Sequence, residues 1–110
     1  MTISKTTMTT REVAARFNEL ARQEKWFEIQ GEFFSDNEGK IAVRKKGEDW
    51  VKRIEAVHRT YTTEPIVSGN HFAVGREVDL TVQGFGRIKM DEIMLYEVKN
   101  GQIVSEQFFY

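Results

Sequence analysis

The chain has no cysteine, one proline and only two histidines. Without cysteine there are no disulfides, no thiolate nucleophile and no zinc–thiolate site. The two histidines, His58 and His71, are far apart and have no acids at matching spacing, so no metal site is expected, and no other cofactor either. Neither sign of charge is in excess. Lys and Arg total 16 against 17 Asp and Glu, for a formal net charge of −1, and the cations are scattered among acids. Nothing resembles the basic footprint that nucleic acid requires. No apolar run approaches the roughly 20 residues of a membrane span, and "MTISKTTMTT" lacks the apolar segment of a secretory signal. These absences point to a cytoplasmic protein with neither a nucleic-acid nor a membrane partner. Repeats and linkers are missing too. "GFGR" (Gly84–Arg87) reads as a glycine-rich turn, not a phosphate loop, because no helix follows it. His71, beside Asn70, reads as a turn or outer-face residue.

What is present fits one domain. The chain has 110 residues, of which 40% are hydrophobic, enough for a single core. One domain over residues 1–110 is expected, with about the first eight outside its ordered part. Val13, Ala14, Phe17, Leu20 and Ala21 follow the three-and-four spacing of one helical stripe, opened by Thr9 or Thr10 as N-cap. "KWFEIQ" predicts a short second helix closed by Gly31, and "EFFSDNEG" a short strand running into a turn. Val43, Gly47, Trp50, Val51, Ile54, Val57 and His58 share a face of a third helix over "IAVRKKGEDWVKRIEAVHR", with Gly47 a potential break.

From Tyr61 onward the period is two. Four β-rich runs are separated by Gly69-Asn70, Gly84-Phe85-Gly86 and Asn100-Gly101, which are hairpin signals. Helices followed by an antiparallel meander make an α+β fold. A two-residue turn at Asn100-Gly101 sets Tyr96 opposite Ser105 and Met94 opposite Gln107. The glycine turn sets Leu80 opposite Met90 and Val78 opposite Glu92, and it brings Asp79 and Asp91 together on the outer side. One face then carries Tyr61, Val67, Phe72, Val74, Arg76, Val78, Leu80, Met90, Glu92, Met94, Tyr96, Val98, Ile103, Gln107 and Phe109, and is expected to cover the helices.

Arg76 and Glu92 are the charged exceptions on that face, on adjacent strands within diagonal reach. Two readings stand. They form a structural ion pair near an open rim, or they are the convergent polar groups of an apolar ligand pocket. His58, ending the third helix, either meets the helix dipole or faces the cavity mouth. Trp26, Phe33 and Trp50 read as core or pocket wall. On the other side of the last hairpin, Ile93, Leu95, Val104 and Phe108 form an apolar patch. Such a patch usually marks an interface, here most simply a twofold homodimer.

"EIMLYEVKNGQIVSEQFF" after these helices resembles the nuclear transport factor 2-like superfamily, and within it the SnoaL-like polyketide cyclase branch. Glu97–Gln107 fits that branch's final hairpin, "EFFSDN" its aromatic-then-acidic segment, and "GEDWVKRIEAV" its third helix. The resemblance implies N-terminal helices packed on a strongly bent antiparallel sheet, cone-shaped, with a pocket between helices and sheet. Members include isomerases, dehydratases, aldol cyclases, epoxide hydrolases and plain binding domains. The enzymes move protons near a carbonyl or hydroxyl with carboxylates, histidines or tyrosines. By that resemblance Glu92 is the candidate base and Arg76 orients it or holds an anionic intermediate, while Tyr61, Tyr96 and Gln107 donate hydrogen bonds. Trp26, Phe33, Trp50, His58 and Met94 complete the pocket. The limonene epoxide hydrolase branch sets an arginine between two acids, whereas here Val78 stands where the second acid belongs. The short segment Asp36–Ala42 implies a more open pocket than in longer relatives.

Two functions therefore remain from sequence. One is an acid/base enzyme of the isomerase, cyclase or dehydratase type, acting on an apolar carbonyl or hydroxyl compound. The other is a non-catalytic module that binds a small apolar molecule or dimerises.

Overall fold

The computed structural model describes residues 7–34 and 37–110, leaving aside the side chains of 37–44. Three helices precede five strands: α1 Thr10–Arg22, α2 Trp26–Phe33, α3 Asn37–Arg53, β1 Ile54–Thr62, β2 Ile66–Ser68, β3 His71–Val82, β4 Gly86–Lys99 and β5 Gln102–Phe109. The strands form one curved antiparallel sheet ordered β1-β3-β4-β5, with β2 also paired to β3. Pro65, which has no N–H to donate, falls in the gap between β1 and β2.

Helix α1 begins as its spacing predicts. Thr9 is the N-cap and forms a capping box with Glu12: the Glu12 amide donates to Thr9 Oγ1 at 3.1 Å, and the Thr9 amide to Glu12 Oε1 at 2.9 Å. Its stripe of Val13, Ala14, Phe17, Leu20 and Ala21 is buried, and it meets Ile29 and Phe33 of α2 and the sheet residues Phe72, Val74, Met94, Tyr96, Val98 and Ile103. The face expected to cover the helices does so. Thr7 and Met8 lie against buried Gly101. Residues 1–6 lie outside the described residues.

The second and third helices depart from expectation. Helix α2 passes through Gly31 to Phe33, and among the described residues no strand lies between it and α3. Phe34 forms only an isolated parallel bridge to Ile103, and Ser35 and Asp36 lie outside the described residues. Helix α3 already includes Asn37, so residues 37–42 of that segment are helical and not a connecting loop. It also runs unbroken through Gly47. A Cβ there would come 2.9 Å from Phe27 Cε1, so the glycine serves the close approach of α3 to α2 at some cost in helix propensity. Helix α3 ends at Arg53, and Ile54, Val57 and His58 belong to β1. The apolar spacing there fits both periods, and pairing with β3 decides for the strand.

Two registers also differ. β3 pairs with β4 two residues from the expected alignment: Arg76 lies directly opposite Glu92, Val78 opposite Met90 and Val74 opposite Met94. A shift of two keeps every side chain on its face. On the outer side it replaces the expected Asp79–Asp91 pair by Asp79–Lys89 and Glu77–Asp91, and Arg87 clasps Asp79 through two hydrogen bonds of 2.9 Å. The β4–β5 hairpin starts as expected, Val98 opposite Ile103, but a bulge follows. With the extra residue Val104 absorbed, Tyr96 faces Glu106, Met94 faces Phe108 and Leu95 faces Gln107. A bulge is a one-residue slip, so it turns the rest of β5 over. Gln107 and Phe109 move to the outer side, and Glu106 and Phe108 to the inner.

Candidate functional site

Beyond the buried cluster, the sheet and helices leave a hollow of about 540 Å³, within the usual range for small-molecule sites. Its walls are apolar: Trp26 from α2, Trp50 from α3, and Val78, Leu80 and Met90 from the sheet. Val51 and Val57 are exposed at its edge, so the mouth is open and greasy. The charged groups of its lining are Glu24, Arg76 and Glu92.

Arg76 is 9% exposed. Its Nη2 donates to Glu24 Oε1 at 2.5 Å, and its Nη1 donates to Glu24 Oε2 at 2.9 Å and to Thr62 Oγ1 at 3.1 Å. Thr62 is its cross-strand neighbour on β1. The guanidinium lies over the Trp26 ring, 4.8 Å from the centroid, a further stabilising contact for a desolvated cation. Glu24, from the α1–α2 loop, thus pins Arg76, which stands opposite Glu92.

Glu24 is the residue that the sequence reading missed. The Glu24 amide donates to the Ala21 carbonyl and the Lys25 amide to the Leu20 carbonyl, both at 3.0 Å. This is the Schellman end of a helix, where the residue after the cap is left-handed and usually glycine. Glu24 takes it with φ +59°, at a cost on the order of 1 kcal/mol for an L-residue. The weak sequence signal is a helix end with no glycine, followed at once by tryptophan.

Glu92 is half-buried on β4. Desolvation holds its carboxyl above the usual carboxylate range, against the opposing pull of the Arg76 charge and a hydrogen-bonding contribution from the Tyr110 phenol. Its charged form is therefore disfavoured but not forbidden, which suits a group that takes and returns a proton.

The other expected site residues divide. Trp26 and Trp50 line the hollow. Phe33 and Met94 are buried in the core and do not line it. Tyr96 is buried too, its ring 4.8 Å from that of Phe17 and stacked on Phe72 at 5.2 Å. Burial first, then the charges of Glu106 and Glu92, push its phenol far up, and its hydroxyl donates to the Met94 sulfur at 3.6 Å. It is a packing group. Tyr96→Phe is accordingly expected to change unfolding free energy by less than about 1 kcal/mol and to leave ligand binding unchanged, as denaturation and titration would register. Tyr61 pairs with Glu77, on the outer side, under the Arg59 guanidinium. His58 sits in the β1 bulge, exposed, with Nε2 2.7 Å from Thr81 Oγ1. Gln107 is turned outward by the β5 bulge. None of these three faces the hollow. Among the described residues no three His, Asp or Glu side chains come together to hold a metal, and no helix is long and apolar enough to cross a membrane.

A helical layer over a curved antiparallel sheet, enclosing an apolar hollow, defines an α+β protein of the nuclear transport factor 2-like kind. Residues 8–110 match the SnoaL-like domain family, and the chain belongs to it. Among solved structures it is similar to a Mesorhizobium loti protein provisionally described as a SnoaL-like polyketide cyclase, with carbohydrate phosphatase in brackets. The two share 34% identity and a TM-score of 0.84, over 94% of this chain and 100% of the other. No curated protein matches this chain.

Proposed function

We propose that this chain binds a small apolar molecule carrying a carbonyl or hydroxyl, and that Glu92 moves a proton on it in an isomerisation, cyclisation or dehydration. The observation that carries the reading is a half-buried carboxyl, raised by desolvation, opposite a pinned arginine in an otherwise apolar hollow. Glu92 accepts or returns the proton. Arg76, with two of its five N–H groups left over from Glu24 and Thr62, offers hydrogen bonds to the oxygen on which charge develops. The polyketide cyclase description of the Mesorhizobium loti protein is in keeping with carbonyl chemistry of this kind. The test is deuterium exchange at the α-carbon of an apolar ketone such as 2-decalone, followed by NMR in heavy water. Exchange above buffer that vanishes in Glu92→Gln supports the reading; a bound ketone exchanging no faster than in buffer rules it out.

The same reading includes a homodimer. With Phe108 turned inward, the outer face of the hairpin carries Ile93, Leu95 and Phe109, beside bulged Val104. Ile93 is 54%, Phe109 51% and Val104 48% exposed. A contiguous apolar strand face of this kind is best covered by its own copy in a twofold contact. Ile93→Lys is expected to halve the sedimenting mass without unfolding the chain; a wild type that sediments as one chain would rule the dimer out.

A further inference from the structure

We infer that the hollow selects ligands whose polar end is uncharged or cationic and discriminates against carboxylates, because Glu24 takes the end-on fork of Arg76 and balances its charge from within the chain. The inference rests on the binding reading above and adds to it the chemical class of the ligand.

An arginine in an apolar pocket ordinarily signals an anionic ligand, since its paired N–H groups match a carboxylate edge-on. Here the end-on edge, Nη1 and Nη2, is filled from within the chain. Both oxygens of Glu24 are engaged, at 2.5 and 2.9 Å, while Thr62 takes a further N–H and Trp26 covers one ring-like face of the guanidinium. The positive charge is balanced before any ligand arrives. Glu92 then leaves the lining with an acidic surplus whenever it is ionised: Glu24 and Glu92 negative, Arg76 positive. A ligand carboxylate would meet a spent cation and a like charge. A hydroxyl or ammonium would find Glu92 as acceptor, and a neutral carbonyl would find the remaining N–H groups of Arg76.

The backbone at Glu24 points the same way. The position is left-handed, φ +59°, and glycine would hold the same Schellman turn with less strain. A carboxylate side chain is placed there against the preference of the backbone, and its two oxygens go to Arg76.

The same feature makes the inference testable with little risk to folding, because Glu24→Gly suits the existing φ and empties the fork. Three matched probes share one rigid apolar body: adamantan-1-ol, 1-aminoadamantane and adamantane-1-carboxylate. Binding is read by calorimetry and by the fluorescence of Trp26 and Trp50 near pH 8, where a carboxyl is ordinarily ionised. The wild type is expected to bind the alcohol and the amine at least about tenfold more tightly than the carboxylate. Glu24→Gly is expected to gain about tenfold or more for the carboxylate, and Glu24→Gln, which removes the charge alone, to shift the same way by less. A wild type that takes the carboxylate as tightly as the alcohol overturns the inference and leaves the binding function standing. So does carboxylate affinity unmoved in both variants. No response to any probe, in wild type or variants, overturns the inference and the small-molecule function together.

Discussion

Replacing Glu92 by glutamine is expected to slow proton exchange on a bound ketone by about 10²–10⁴-fold, the usual contribution of a positioned acid/base, while the chain still folds and still binds the ketone. Glutamine keeps the shape and hydrogen-bonding reach of the side chain and removes only its capacity to carry a proton. The variant is also expected to be more stable than the wild type at neutral pH. The sign follows from linkage. The Glu92 carboxyl sits above its ordinary value of 4.5 in the folded chain because burial penalises its charge. Between 4.5 and the folded value the native state holds a proton that the unfolded chain has released, so stability falls as pH rises through that window. Below it Glu92 is neutral in both states and costs nothing. The stability gap between wild type and Glu92→Gln should therefore open as pH rises above about 4.5 and close below it. Glu106 shifts in the same direction for the same reason, and differencing the two proteins cancels its part. Denaturation at a series of pH values checks this. A gap that is constant with pH would mean that Glu92 is not desolvated.

Phe17→Ala is expected to cost about 3–5 kcal/mol, a large part of the 5–15 kcal/mol typical of a whole domain. Phe17 is fully buried at the junction of every layer. Its ring lies 5.9 Å from Trp26, 5.2 Å from Phe72 and 4.8 Å from Tyr96, so it joins α1 to α2, to β3 and to β4. The layers are held apart by their own backbones and cannot collapse into the space its removal would leave. The urea midpoint should drop by roughly 2 M at ordinary denaturant slopes. A loss below about 1 kcal/mol would show that this cluster relaxes freely and is not the keystone of the fold. The effect also separates core from site. Trp26 touches Phe17 on one side and Arg76 on the other, so part of the damage should reach the hollow.

The contrast between these two substitutions mirrors what was legible in the residue order. Period and turn chemistry are local, and they read clearly: the stripe of α1 with Thr9 ahead of it, the three hairpin turns, and the face that holds Phe72, Val74, Arg76, Glu92 and Met94 together. Where reading failed, two local patterns were compatible and a distant partner chose between them. Ile54, Val57 and His58 keep a helical spacing, but the β3 edge captured them as a strand. Gly47 looks like a break in isolation and is a contact surface once Phe27 is beside it.

The sequence by itself determined the fold family, the sheet face and the presence of a charged pair among apolar residues, because all of these follow from alternation and turn type along short stretches. Only the tertiary structure decided what that pair does. The bulge at Val104 moved Gln107 out of the site, since one unpaired residue inverts a strand and nothing in its own side chain announces it. Glu24 entered the site across 52 residues of chain, because a helix end and a strand happen to meet there. That meeting sets the charge of the hollow, and no spacing rule along the chain contains it.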